Sequence, residues 1–358
     1  METGLGYNSF FDDARVKLGA ALVRVARVTA EHKGAYEVTT GSDYFRATVT
    51  GKRMLTATGR ADYPVVGDWV VMQADSNPTK IITDILPRQT LLQKKHSGRD
   101  EAQPIAANVD VVFIVESLDG DFSPNRFERY LVLVQDSGAK PIFILNKSDL
   151  LPEEDLAATI DQLKKRFADI EIVPLSTINQ QGFSTLQATI KPNLTYCFVG
   201  SSGVGKSSII NLLVGQNTIR TNIISDRTGR GQHTTTARQI YFLPSGGIII
   251  DNPGSREVGL VDSKSSVHDV FSTISELAAN CRFTDCQHAG EPGCAIAAAL
   301  ESGNITEAQY QNYIKLRKET EHYEMSRYDR RQKDRQFGQF LKKAKKETPP
   351  EDEVASLA

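Results

Sequence analysis

The sequence predicts a multidomain chain: a small β-barrel, a doubly wound α/β domain and a short helical metal-binding module. Three observations carry this prediction. About five short β-like runs crowd into residues 20–92, strands and helices alternate from 108 to 250, and three cysteines with one histidine fall within fourteen residues further on.

The barrel comes first. Runs at 22–28, 35–38, 44–49, 67–72 and 80–85 are separated by Gly, Asp, Asn and Pro. Five strands in so short a span suit a barrel of the OB type, and an SH3-like barrel would read much the same. Residues 1 to about 14 read as a loose leader. The expected division is leader 1–19, barrel 20–95, α/β domain 100–259, metal module 260–325, and a basic helix with an acidic tail at 326–358.

In the α/β part, the run 109–115 is continuously apolar, as a strand buried on both faces should be. Helical patterns at 126–136 and 153–167 alternate with strands at 141–145 and 170–175. Further strands follow at 196–199, 238–243 and 248–250. A helical pattern resumes over 306–346, where residues 326–346 hold nine Lys/Arg against two Asp.

Composition bounds the function. The chain has 358 residues, 40% hydrophobic and 24% charged, with net charge -2. No basic n-region leads into an apolar run, and no stretch is long enough to cross a bilayer. A cytoplasmic, monomeric protein with no membrane partner is the expectation. Clustered cysteines read as a metal site rather than a disulfide framework.

Gly200-Ser201-Ser202-Gly203-Val204-Gly205-Lys206-Ser207 fits the phosphate-loop pattern at every fixed position. It lies between a strand and a helix that includes Ser208, which is the context the motif needs. The glycines let backbone N–H groups face phosphates, and the helix dipole favours the anion. Lys206 is expected on the β- and γ-phosphates, as a catalytic group, and Ser207 on Mg²⁺.

Asn146-Lys147-Ser148-Asp149 selects the base. Asp149 can accept from guanine N1–H and the exocyclic amine, whereas adenine would leave that carboxylate unpaired. Lys147 can pack over the base and Asn146 can brace neighbouring loops. Ser176, after the strand at 170–175, sits where a second base-contacting loop is expected.

Asp251-Asn252-Pro253-Gly254 fits D-x-x-G, with Asp251 expected on Mg²⁺ and Gly254 at the γ-phosphate. Upstream, Gly231-Gln232-His233-Thr234-Thr235-Thr236 reads as a switch, with Thr234 or Thr235 expected to reach Mg²⁺. Many GTPases place a water-orienting Gln directly after D-x-x-G. Here that residue is Ser255, so water must be positioned otherwise, a role His233 could fill. The guanine reader precedes the phosphate loop, reversing the usual order. Joining neighbouring termini and cutting elsewhere preserves such a sheet, so the domain is expected to be a circularly permuted P-loop GTPase. The cut ties the second switch directly to the metal module.

Cys281, Cys286, His288 and Cys294 offer three thiolates and an imidazole. Four such ligands suit a structural, tetrahedral Zn²⁺ with no open position. Cys197 reads as a core residue.

Together these motifs, with Pro64-Val65-Val66-Gly67-Asp68-Trp69-Val70 in the barrel, resemble the RsgA family (also called YjeQ or YloQ) of circularly permuted GTPases. The resemblance spans about residues 20–320. It implies an N-terminal OB-fold, a central permuted G domain and a C-terminal zinc domain. It further implies GTP hydrolysis stimulated by the small ribosomal subunit during late maturation, contact with its rRNA, and a hydrolytic role for His233. Asn252 stands where the family often has Thr. A GTP-gated RNA-binding switch with negligible turnover is the alternative reading, and the two differ in whether small subunits stimulate hydrolysis.

Overall fold

The computed structural model describes residues 4–19, 24–73, 77–95, 101–120, 122–215, 238–252, 259–260, 263–288 and 291–324. His233, Thr234, Thr235, Gly254 and the basic end at 326–346 lie outside the described residues.

The barrel opens with α1 (Ser9–Lys17) and continues through β1 (Val25–His32), β2 (Ala35–Thr39), β3 (Tyr44–Val49), α2 (Gly51–Thr56), β4 (Trp69–Met72) and β5 (Thr79–Ile85). The strands close in the order β1-β2-β3-β5-β4-β1. β3 and β5 run parallel, with Arg46 opposite Thr79. This parallel pairing, with a helix between β3 and β4, makes the barrel OB-like rather than SH3-like. Val28, Val38, Ala47, Val70 and Ile82 fill its interior.

The leader is a correction. The first residues are not loose throughout: Asn8 caps α1 by accepting from Phe10 N–H. Phe11 is 1% exposed and packs with Leu5, Trp69, Val71 and Leu86. Phe11 and Ala14 stand three apart on one helical face, which puts both against the barrel.

A hairpin, β6 (Leu91–Lys95) with β7 (Ala102–Ala107), joins the barrel to the next layer. Then come β8 (Val111–Ser117), α3 (Pro124–Ser137), β9 (Lys140–Asn146), α4 (Glu153–Arg166), β10 (Glu171–Pro174), α5 (Phe183–Thr189), β11 (Thr195–Val199), α6 (Lys206–Val214), β12 (Gln239–Phe242) and β13 (Ile248–Asp251). Pro124 starts α3 and left-handed Gly138 ends it. Acidic residues in the first turn of α4 and Lys164, Lys165 and Arg166 in its last turn complement the helix dipole.

The sheet order is β10-β9-β8-β11-β13-β12, parallel except for β12. β11, the strand that feeds the phosphate loop, is therefore central although it comes late in the chain. Both sheet faces are covered by apolar cores. β12 pairs antiparallel with β1, so barrel and sheet are one hydrogen-bonded surface.

The Val65-Val66-Gly67-Asp68 text fixes this junction. Gly67 has φ 96°, and a Cβ there would lie 2.1 Å from the Ala107 carbonyl oxygen. Buried Asp68 accepts from Val65 N–H at 2.9 Å and from Arg88 at 2.7 and 2.8 Å. Arg27, fully buried, donates to Thr195 Oγ1 at 2.8 Å and to the Leu5 carbonyl.

The C-terminal helices are α7 (Lys264–Val270), α8 (Ser272–Ala279), α9 (Ala295–Glu301) and α10 (Glu307–Glu324). They share a core that includes Val132 of α3. Arg129 of α3 makes a two-pronged bond to Glu319 of α10, at 2.7 and 3.0 Å. Leu260 N–H donates to the same carboxylate at 3.0 Å, and Gly259 O accepts from Lys95 N–H at 2.8 Å. Gly259 and Leu260 are thus held on one side by Lys95 and on the other by Glu319. Among the described residues no helix is long and apolar enough to cross a membrane.

Candidate nucleotide site and metal centre

The phosphate loop runs from β11 into α6. Gly200, Gly203 and Gly205 have φ of 147°, 85° and 97°. A Cβ at Gly200 would stand 2.2 Å from Val115 O, and one at Gly205 2.1 Å from Asn146 Nδ2. Left-handed backbone and lack of space both demand glycine here. Val204 is buried, while Ser201, Ser202, Ser207 and Ser208 fall between Gly200 and the buried face of α6. Lys206 Nζ donates to the carbonyls of Gly200 and Ser201 at 2.7 and 2.6 Å, inside its own loop.

The segment Asn146–Asp149, expected to read guanine, starts at the last residue of β9, two strands from β11. Asn146 is fully buried and its Nδ2 donates to Val204 O at 2.7 Å. Its Oδ1, like Ser148 Oγ, is buried with no hydrogen-bond partner among the described residues. Lys147 adopts a left-handed conformation, and its Nζ lies 2.7 Å from Asp119 Oδ2. Asp149 is exposed, in a short 3-10 turn. Ser148 N–H donates to Leu175 O at 3.1 Å, which sets the Ser176 loop alongside. Ser176 is fully buried, and its Oγ accepts from Ile178 and Asn179 N–H at 3.2 and 3.3 Å. The phosphate loop, the base segment and the Ser176 loop therefore meet at the C-terminal ends of parallel strands, where ligands of open α/β sheets bind.

Asp251 ends β13 and is 4% exposed. Burial pushes its carboxyl up to about 6, against the opposing pull of the Lys206 ammonium. Burial likewise lowers Lys206 to about 8, with Asp251 and Glu116 opposing. A buried carboxylate with a half-buried ammonium near it suits a phosphate with a divalent cation.

Three contacts escape sequence reasoning. Tyr130 of α3 hydrogen-bonds Ser201. Asp119 holds Lys147. Arg238 donates to Asn252 Oδ1 at 3.2 Å. Each joins residues fourteen or more apart on different elements, and no local pattern marks them.

In the metal centre, the ligand atoms of Cys281, Cys286, His288 and Cys294 all lie within 4.8 Å of one another. Cys281 Sγ and Cys294 Sγ are each 3.5 Å from His288 Nδ1. A tetrahedral ion with arms of about 2.3 Å to sulfur and 2.0–2.1 Å to nitrogen has edges of roughly that length. The donor set therefore fits a metal ion. Left-handed His288 turns its ring inward, and Cys294 Sγ caps α9 by accepting from Ala297 N–H at 3.4 Å.

An OB-like barrel, a P-loop sheet entered at the strand after the second switch, and a Cys₃His cluster define a circularly permuted GTPase. The RsgA GTPase family model matches residues 85–261. The "Small ribosomal subunit biogenesis GTPase RsgA 1" of Bacteroides thetaiotaomicron is 39% identical over 323 residues, covering 89% of this chain and 90% of that protein. The "Small ribosomal subunit biogenesis GTPase RsgA 2" of Listeria monocytogenes is 40% identical, covering 88% of each. The crystal structure of YjeQ from Thermotoga maritima is 27% identical with a TM-score of 0.61, covering 84% of this chain and 99% of that one. The structure of YloQ, a circularly permuted GTPase, shares the fold at 24% identity and a TM-score of 0.57, covering 85% and 97%. The chain belongs to the RsgA GTPase family, and it is a GTPase.

Proposed function

We propose that this protein binds GTP in the cleft between Lys206, Asn146 and Asp251 and hydrolyses it in the biogenesis of the small ribosomal subunit. The observation that carries the reading is the meeting of base segment and phosphate loop through Asn146 and Val204. The names of its relatives supply the subunit.

In this reading Asp149 and Lys147 take the guanine, with Ser176 beside it. Backbone N–H groups of Gly200, Ser201, Ser202, Gly203, Val204 and Gly205 surround the phosphates, with Ser207 and Ser208 at the start of α6. Gly254 meets the γ-phosphate. Ser207, Asp251 and Thr234 or Thr235 would hold Mg²⁺, and the ion would supply charge neutralisation at the phosphates. Lys206 stabilises charge on the leaving oxygens, and His233 orients the attacking water. Cys281, Cys286, His288 and Cys294 hold one structural Zn²⁺, the ion this donor set suits. The barrel and the basic end contact rRNA chiefly through phosphates. The protein works as a monomer in the cytoplasm.

GTP turnover measured with and without purified small subunits tests this. A low basal rate that rises sharply with subunits, and fails to rise in His233→Ala, is the expected result. An unchanged rate would sink the subunit-dependent enzyme and favour a GTP-gated RNA-binding switch.

A further inference from the structure

The pairing of β1 with β12 sets Ala30 opposite Gln239. It thereby brings Glu31 of the barrel beside Arg238 of the GTPase sheet. Arg238 has three engagements. Nε donates to Asn252 Oδ1 at 3.2 Å, Nη1 donates to Pro104 O at 3.0 Å, and Nη1 stands 3.5 Å from Glu31 Oε2. Asn252 is 3% exposed and directly follows Asp251. One guanidinium therefore spans barrel, hairpin and the strand end that carries the expected Mg²⁺ ligand.

The other side of this group opens to solvent. A cavity of about 600 Å³ is lined by Glu31, Lys33, Arg60, Tyr63, Gln103 and Arg238, among others. Among the described residues Glu31 is the single acidic one in that lining, and Arg60 pairs with it as well. Two guanidiniums thus share one carboxylate, with a lysine, a histidine and two tyrosines in the same lining. Such a wall calls for an anion of fork-matching geometry, and phosphate is one. The cavity includes Lys33 and Gly34 of the β1–β2 turn, and the loop between the first two strands is one of the places where OB folds take oligonucleotides.

We propose that this cavity takes a backbone phosphate of a single-stranded RNA segment, and that Arg238 is the positioning residue that couples its presence to Asp251 and Asn252. The inference rests on the RNA-binding reading above. The phosphate replaces Glu31 as the partner of Arg60 and Arg238. Arg238 then shifts toward the cavity and loosens its hold on Asn252, which moves the strand end that meets the nucleotide's metal. RNA and nucleotide affinities are thereby linked, and the linkage is reciprocal.

The test uses the full-length protein, Mg²⁺, a fluorescent GDP and a labelled oligouridylate of about ten nucleotides. Saturating oligonucleotide is expected to change GDP affinity by about fivefold or more. Asn252→Ala should bind the oligonucleotide as wild type does and lose that change. Asn252→Asp, which keeps an acceptor for Arg238, should retain it. Arg60→Ala should weaken oligonucleotide binding. Wild-type coupling in both Asn252→Ala and Arg238→Gln would overturn the relay. Unchanged oligonucleotide binding in Arg60→Ala would overturn the cavity as the site. An equal effect from inorganic phosphate would overturn RNA as the ligand. Oligonucleotide binding by wild type with no effect on GDP overturns this inference alone. Absence of oligonucleotide binding overturns it together with the RNA reading.

Discussion

Asn146 and Val204 are 58 residues apart and are joined by one buried hydrogen bond of 2.7 Å, from Nδ2 to the carbonyl oxygen. It links the base segment to the phosphate loop across the sheet. The same amide leaves no room for a side chain at position 205. A change at either end is felt at the other.

Asn146→Ala removes the donor and leaves the Val204 carbonyl buried and unpaired. Such a loss costs about 1–3 kcal/mol, or roughly tenfold to a hundredfold in affinity. Calorimetric titration with GDP should show this weakening. An unchanged affinity would refute the brace.

Asp149→Asn should exchange an acceptor for a donor at the guanine edge. GTP binding should fall by about tenfold to a hundredfold, as expected for a hydrogen bond to a charged group. Xanthosine triphosphate, which offers a carbonyl at that edge, should gain. Competition between the two nucleotides checks both directions at once.

The pH dependence follows from two groups shifted by burial. In the proposed roles, Mg²⁺-dependent GDP binding is expected to need ionised Asp251, raised by burial to about 6, and protonated Lys206, lowered by burial to about 8. Affinity should therefore peak between these values, and Asp251→Asn should remove the acidic limb. Stability of the nucleotide-free protein moves differently. Between about 8 and 10.5 the unfolded chain holds the Lys206 proton that the folded one has lost, so stability rises with pH there. Between 3.8 and about 6 the folded chain holds the extra proton on Asp251, so stability falls as pH rises. Titrations of GDP affinity and unfolding midpoint across pH measure the two separately.

Stripping the metal with a chelator should melt the C-terminal helices. Structural zinc supplies about 10–16 kcal/mol in small fingers, as much as a whole domain's net stability of roughly 5–15 kcal/mol. Hydrogen exchange should show lost protection over α7–α10, with GDP binding retained. Full protection in metal-free protein would refute a structural role.

What was legible in the sequence was local. The phosphate loop, the base segment and the Cys/His cluster are short runs whose chemistry requires fixed residues at fixed spacing. The buried strands showed as continuous apolar runs. The choice between OB and SH3-like barrels was not local, because it turns on β3 pairing with β5 more than thirty residues away. The β6–β7 hairpin was missed because Gln93, Lys94 and Lys95 show no apolar alternation. The helix at Ser9–Lys17 was missed because only Phe11 and Ala14 mark its buried face. In the sequence Arg238 is simply the first residue of a strand pattern at 238–243. Its bonds to Asn252, Pro104 and Glu31 follow from β12 lying against β1, which no window along the chain contains.

The central place of β11 also sets a timetable. Within the α/β sheet, a chain emerging from synthesis makes β8, β9 and the base segment first, and these cannot hold a nucleotide's phosphates. β11 must then enter between β8 and β13, so the sheet stays open until β13 is made. About a hundred residues separate Asp149 from Asp251, or roughly 5–20 s of elongation. The nascent protein is therefore blind to guanine nucleotide until most of it exists, and GTP cannot assist the early stages of its folding.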